Sequence, residues 1–286
     1  MRIAVVAASS RLEDHAELAE RLAPVMTRFP GVELVYRIVE GRNNRSVHFA
    51  GADGDRSAML VRTANDETID AIWFARGGYG SNRIAQAAFD GFDLNLARRK
   101  KWLGYSDAGF LLAGLYARGC TVAHGPMPKD LLTYGDDDGA EAVGRALNWL
   151  TGRSEAGLES GLLRGQSYAA FNISVFAALL GTPLEPDLTG HVLMLEEVDE
   201  HLYATDRDLY RITSAASVRR IAGLRLGRVH ALRVPDEHCR NPQPQPFDET
   251  AEQIARRWCR DAGIAFLEPA DIGHDSANKV VPFGRF

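Results

Sequence analysis

The sequence predicts an α/β protein built on a doubly wound parallel sheet, followed by a second, smaller domain. Three observations lead there. Short apolar runs alternate with helical patterns from Ile3 to about Pro126; Gly-rich or polar residues follow three of those runs, at 76–80, 104–107 and 124–126; and the pattern changes after about residue 150. Strand–helix alternation implies parallel pairing with helices on both faces, and ligands then bind beyond the carboxyl ends of the strands. The three Gly-rich or polar ends should therefore converge on one crevice.

Taken in order, Ile3 to Ala7 reads as a first buried strand, and Leu12 to Met26 has the helical spacing of Leu and Ala. Val32 to Tyr36 is a second strand and Asp53 to Thr63 a helix. Ala71-Ile72-Trp73-Phe74 is a third buried strand, running directly into Arg76-Gly77-Gly78-Tyr79-Gly80 and a helix from Ser81. Lys101 to Tyr105 is the fourth strand, Phe110 to Tyr116 a helix, and Thr121-Val122-Ala123 the fifth strand, ending in His124-Gly125-Pro126. Residues 1–150 form one expected domain, 151–165 a polar, Gly-rich linker and 166–286 a second domain. In that second domain a helix spans Ile173 to Leu180, and strands are expected at Val192 to Leu195 and Ile221 to Leu226. The stretch Pro235 to Pro246, with four prolines, demands an irregular loop. A last helix, Glu249 to Ala262, precedes the apolar Ile264-Ala265-Phe266-Leu267 and a loop holding Gly273-His274. The chain stops just after Phe283-Gly284, and no further C-terminal strand is expected.

Composition narrows the function. With 286 residues, 45% hydrophobic and 25% charged, the chain is long enough for one large or two medium cores. A net charge of −5 argues against nucleic-acid partners and a polybasic membrane surface. No apolar run reaches the length of a transmembrane span, and the opening Met1 to Ala8 is too short for a signal sequence. Three cysteines, Cys120, Cys239 and Cys259, cannot all pair and lack C-x-x-C spacing, which suits passive thiols in a reducing cytoplasm.

The segment Trp102 to Gly109 carries the sharpest chemical signal. A Ser at a strand-to-helix turn presents its hydroxyl at the carboxyl end of the sheet, beside the unpaired N–H groups of the new helix. Ser106 has that position, although the second Gly of a G-x-S-x-G elbow falls one residue late; as an N-cap it would need no chemistry at all. The turn at Arg76 to Gly80 lacks the Lys-Ser/Thr of a P-loop and the spacing of a dinucleotide fingerprint. Its glycines could instead bring N–H groups close to an acyl group, with Arg76 gripping a carboxylate or lying in solvent. Leu193 to Glu200 is a strand running into four acids, Glu196, Glu197, Asp199 and Glu200. Those acids fit a surface patch, a site for a hard cation, or one residue that orients a histidine. Glu196 and Glu197 point to opposite faces, and spacing does not say which of them faces the crevice. Of eight histidines, His124 stands at a strand end, His238 lies beside Cys239 in the Pro-rich loop, and His274 lies between Gly273 and Asp275. Ser106, an acid near 196 and His274 permit a Ser–His–acid relay, which depends on geometry rather than on order.

These residues together resemble the LD-carboxypeptidases of serine-peptidase type, a family that includes murein tetrapeptide carboxypeptidases and microcin C immunity peptidases. The landmarks are Ala71 to Gly80, Leu103-Gly104-Tyr105-Ser106-Asp107, His124-Gly125-Pro126, Leu195 to Glu200 with Tyr203, Asp206 and Arg207, and Gly273-His274 with Asn278 and Pro282. The resemblance implies Ser106 as nucleophile, Glu196 as the acid and His274 as the base. It implies an oxyanion hole from the N–H of Asp107 and one from the Gly77–Gly78 turn. It further implies a flavodoxin-like N-terminal domain, a smaller β-rich C-terminal domain, an active site between them, no metal or other cofactor, a small murein peptide as substrate and a homodimer. Two departures stand out: Ala170-Phe171-Asn172 where members commonly have Gly-Gly-Asn, and Asp199 where they have Gly.

Overall fold

A computed structural model describes residues 1–12, 15–39, 48–232 and 247–286. The Pro-rich stretch 235–246, with His238 and Cys239, lies outside the described residues. The first sheet has six strands: β1 (Arg2–Val6), β2 (Glu33–Arg37), β3 (Ala71–Phe74), β4 (Lys101–Gly104), β5 (Thr121–His124) and β9 (Val281–Pro282), in the order β2-β1-β3-β4-β5-β9. β1 to β5 are parallel, which is the flavodoxin-like 2-1-3-4-5 arrangement, and only β9 runs antiparallel, against β5. The short apolar runs form this sheet because both of its faces are covered. Ile3 and Val5 pack on one side with α1 (His15–Met26) and α7 (Asp138–Thr151), whereas Ala4 and Val6 pack on the other with α2 (Asp53–Ala64), α3 (Ser81–Asp90) and α5 (Gly109–Ala117). Trp73 and Trp102 are wholly buried, and their indole N–H groups donate to Pro126 O and Ala97 O.

The second, smaller sheet joins β6 (Ser167–Asn172), β7 (His191–Val198), β8 (Gly223–His230) and β10 (Gly284–Arg285) in the order β10-β6-β7-β8. β6, β7 and β8 are parallel. Helices α8 (Ile173–Leu179), α9 (Leu202–Ser214) and α10 (Ala251–Ala262) bury Phe176, Ile212 and Ile254 against one face. The same apolar cluster continues through Phe171 and Phe110 into the first sheet.

Several elements differ from the sequence expectations. Two six-residue helices, α4 (Leu94–Arg99) and α6 (Lys129–Tyr134), are too short to show a period. β7 and β8 run on into polar residues, to Val198 and His230. The chain end also corrects the reading above. Val281–Pro282 pairs with β5 and Gly284–Arg285 with β6, so the last residues add a strand to each sheet.

Candidate active site

β4 ends at Gly104, where a Cβ would lie 3.0 Å from both Ala108 and Phe74, so the turn after it closes only around glycine. Ser106 then takes a left-handed φ of 58°, and a 3₁₀ turn, Ser106–Ala108, feeds α5. Such a conformation is costly for a residue with a side chain and is characteristic of functional sites. Ser106 is thus no ordinary N-cap: no side-chain cap bond is made at the start of either the turn or α5.

The Gly-rich turn after β3 folds directly over this serine. A Cβ at Gly77 would sit 2.7 Å from Ser106 Cβ and Oγ and 3.3 Å from Asp107 N, and one at Gly78, whose φ is +105°, would collide with Ser10. The Asp107 carboxylate fixes the two turns together by accepting from Gly80 N at 3.3 Å and Ser81 N at 2.9 Å, while Ser81 Oγ donates to Asp107 O. Sequence reasoning assigned only the N–H of Asp107; the tie made by its side chain spans 26 residues and has no local signature.

β7 presents its acids to opposite sides. Glu196, with no exposed surface, accepts from His274 Nδ1 at 2.5 Å. Glu197 faces the cleft and accepts from Asn172 Nδ2 at 2.5 Å, Val198 N at 2.9 Å and Ser174 N at 2.9 Å, tying β7 to the start of α8. Burial raises the Glu197 pKa to about 7 against these hydrogen bonds. Asp199 has a φ of 57°, a conformation that Gly adopts freely and Asp tolerates.

His274 is held from three sides. Burial alone would depress its pKa, but Glu196, helped by Asp130 and Glu197, outweighs burial and raises it above the ordinary 6.5. The Tyr105 ring lies 4.7 Å from the imidazole, centroid to centroid, and its hydroxyl donates to Asp130 at 3.0 Å. Burial pushes the Asp130 carboxyl up to about 6. Behind the loop, Asn278 Oδ1 accepts from Gly273 N, and His124 Nε2 lies 3.4 Å from the same oxygen. Burial drives the His124 pKa down to about 4, which leaves a neutral, enclosed ring away from the cleft.

Ser106, His274, Asp107, Gly77, Gly78 and Arg76 all line one open cleft of about 630 Å³, whose far wall is Asn172, Ser174 and residues 197–200. Glu196 lies just behind it, at His274. Arg76 turns back, its Nη1 donating to Arg11 O at 2.8 Å. Two of the three converging strand ends therefore form the cleft, and the third, at His124, supports it. Among the described residues no group of three or more His, Cys, Asp or Glu is placed to hold a metal ion, and no helix is long and apolar enough to cross a membrane.

The profile of the LD-carboxypeptidase N-terminal domain matches residues 3–125, and that of the LD-carboxypeptidase C-terminal domain matches residues 168–286. The chain belongs to the LD-carboxypeptidase family. It is an enzyme of that serine-peptidase family. A protein of Bacillus subtilis (strain 168) named "Probable murein peptide carboxypeptidase" is 28% identical over 271 residues, covering 88% of this chain and 78% of its own. The crystal structure of muramoyltetrapeptide carboxypeptidase from Oxalobacter formigenes superposes with a TM-score of 0.76 at 21% identity, over 99% of this chain and 93% of its own. The microcin C7 self-immunity protein MccF, solved in complex with glutamyl sulfamoyl guanosine, gives a TM-score of 0.78 at 16% identity, over 99% and 91%. At those identities both structures speak to the fold, which they share with this chain.

Proposed function

We propose that the protein is a serine carboxypeptidase that releases D-alanine from murein tetrapeptide by cutting an L,D peptide bond, with Ser106 as nucleophile, His274 as base and Glu196 as the orienting acid. The observation that carries this reading is a strained serine at a strand end, under a glycine turn, in the same cleft as a His–Glu pair. Nδ1 faces the Glu196 carboxylate and so carries the proton donated to it, which leaves the Nε2 lone pair as the base. Ser106 Oγ attacks the scissile carbonyl, and His274 takes its proton. The oxyanion is received by the N–H of Asp107 and one from the Gly77–Gly78 turn. Collapse of the intermediate transfers that proton to the leaving amine, and water, activated by the same imidazole, hydrolyses the acyl-enzyme.

This reading includes a role in cell-wall recycling in the cytoplasm, a homodimer, and a division into residues 1–150, which carry the nucleophile, and 166–286, which carry the acid and base. Cys120 and Cys259 are buried free thiols, and burial pushes both up to about 11, as suits unreactive cysteines. The likeness to MccF favours one second reading, a self-immunity peptidase that cleaves a peptidyl-nucleotide.

Incubation with murein tetrapeptide, its L-alanine epimer at the C-terminus and an aminoacyl sulfamoyl nucleotide separates the two. Release of D-alanine from the first, with the epimer poor and the nucleotide inert, is the expected result. Turnover of the nucleotide alone would favour the second reading. A fluorophosphonate should label Ser106; failure to label it, with no turnover of any substrate, would leave an anion-binding module and end the enzymatic proposal.

A further inference from the structure

The cleft is lined by two cations, Arg76 and Lys129, and by the acids Asp107, Asp130, Glu197, Asp199 and Glu200. The buried acids are already committed. Asp107 accepts from Gly80 N and Ser81 N, Asp130 from Tyr105 and Met127 N, and Glu197 from Asn172, Ser174 N and Val198 N. The cations around the His274 loop are committed as well: Arg145 donates to Asn278 O and Ser276 O, and Arg228 pairs with Asp271 and Asp275. Arg76 is turned toward Arg11 O.

Lys129 differs from all of these. Its backbone N–H donates to Ala75 O at 3.0 Å, which pins the start of α6 beside the turn that covers Ser106. Its side chain lines the cleft, half-buried, and among the described residues its ammonium makes no hydrogen bond or ion pair. A cation held at the edge of a nucleophile's cleft, with its neighbouring carboxylates spent on other donors, is complementary to an anion brought in by the substrate. We propose that Lys129 is the specificity-determining residue that binds the terminal carboxylate of the peptide, a role that sequence reasoning offered to Arg76. The inference rests on the carboxypeptidase reading and adds to it the group that makes the enzyme act at a chain end.

The test compares the tetrapeptide acid with its C-terminal amide in wild-type, Lys129→Met and Lys129→Arg enzymes, with kcat/KM measured for each pair. Wild type should prefer the acid by roughly 10–100-fold, the usual worth of a charge-assisted contact. Lys129→Met should lose that preference by slowing on the acid while its rate on the amide stays within about twofold, which also shows that the fold is intact. Lys129→Arg should restore most of the preference, because charge is retained. A Lys129→Met enzyme that still prefers the acid as wild type does would overturn the role of Lys129 and leave the carboxypeptidase reading standing. A wild-type enzyme that turns over acid and amide equally would overturn both.

Discussion

At the scale of single residues, the two adjacent glutamates of β7 show how position decides chemistry. Glu196 and Glu197 are neighbours of the same type, both buried, yet one serves an imidazole and the other holds two donors of the β6–α8 junction and one of β7 itself. As the proposed base, His274 would work only when neutral, so its raised pKa places the acid limb of kcat/KM above pH 6.5, and activity should rise with pH through that limb. Glu196→Gln removes the charge that raises it. The rate should fall on the order of 10⁴-fold, as for the equivalent change in another triad, and the limb of the residual activity should move to lower pH. An unmoved limb in that variant would detach Glu196 from the base. Glu197→Gln should move the limb far less and act mainly on stability. Its raised carboxyl means that the folded state holds a proton which the unfolded state has lost between pH 4.5 and about 7, so the wild type loses stability as pH rises through that window. The variant cannot titrate there, and the gap between the two melting temperatures should narrow as pH rises from 4.5 to 7. A gap that widened would reverse the assigned direction.

Among the elements, the turn after β3 is the one that glycine makes possible. Gly77 is absent from the glycines of positive φ, so its requirement is one of space and not of backbone freedom. A methyl group there would stand 2.7 Å from the Ser106 hydroxyl, where the proposed oxyanion donors would lie. Gly77→Ala should therefore lower kcat by about 10²–10³-fold, the cost of losing an oxyanion donor. Unchanged turnover would show that the turn does not bear on the reaction. This turn was legible in the sequence, as was each strand whose apolar run stops at Gly or a polar residue: β1, β3, β4 and β5. Ser106 and His274 were also singled out from the sequence, whereas Glu196 was chosen over Glu197 only by resemblance, since period-2 alternation left the two equivalent; the structure places all three at the cleft. Beyond α7 and α9, long helices for which no reading was made, what escaped falls into two physical kinds. α4 and α6 are six residues long and make less than two turns each, too little for a hydrophobic stripe. The Asp107 tie, the Tyr105–Asp130 bond and the setting of Lys129 join residues far apart in sequence, and no local pattern encodes such a pairing.

Across the whole molecule, the proposed catalytic pair depends on how the last forty residues are fastened. The stretch 152–166 between α7 and β6 has no long regular element, yet it supplies a buried anchor. Glu159 pairs with Arg225 of β8 through two bonds of 2.7 and 2.9 Å, and its carboxylate also accepts from Gly161 N and Asp271 N. Arg225 in turn donates to Glu268 O and Pro269 O, so one ion pair holds the segment that leads into His274. On the other side of the loop, Val280 N donates to Gly157 O, and the two terminal strands then stitch into both sheets. A buried pair contributes little net stability when intact, because desolvation offsets the attraction, but breaking it leaves one charge stranded. Glu159→Ala should consequently cost about 3–5 kcal/mol, read as a lower urea midpoint at an unchanged slope. The double replacement Glu159→Met, Arg225→Met removes the stranded charge and should recover part of that loss. Recovery stays incomplete because Gly161 N and Asp271 N still lack an acceptor. A single variant as stable as wild type would mean that Arg225 finds water or another partner, and that this ion pair does not anchor the segment carrying His274.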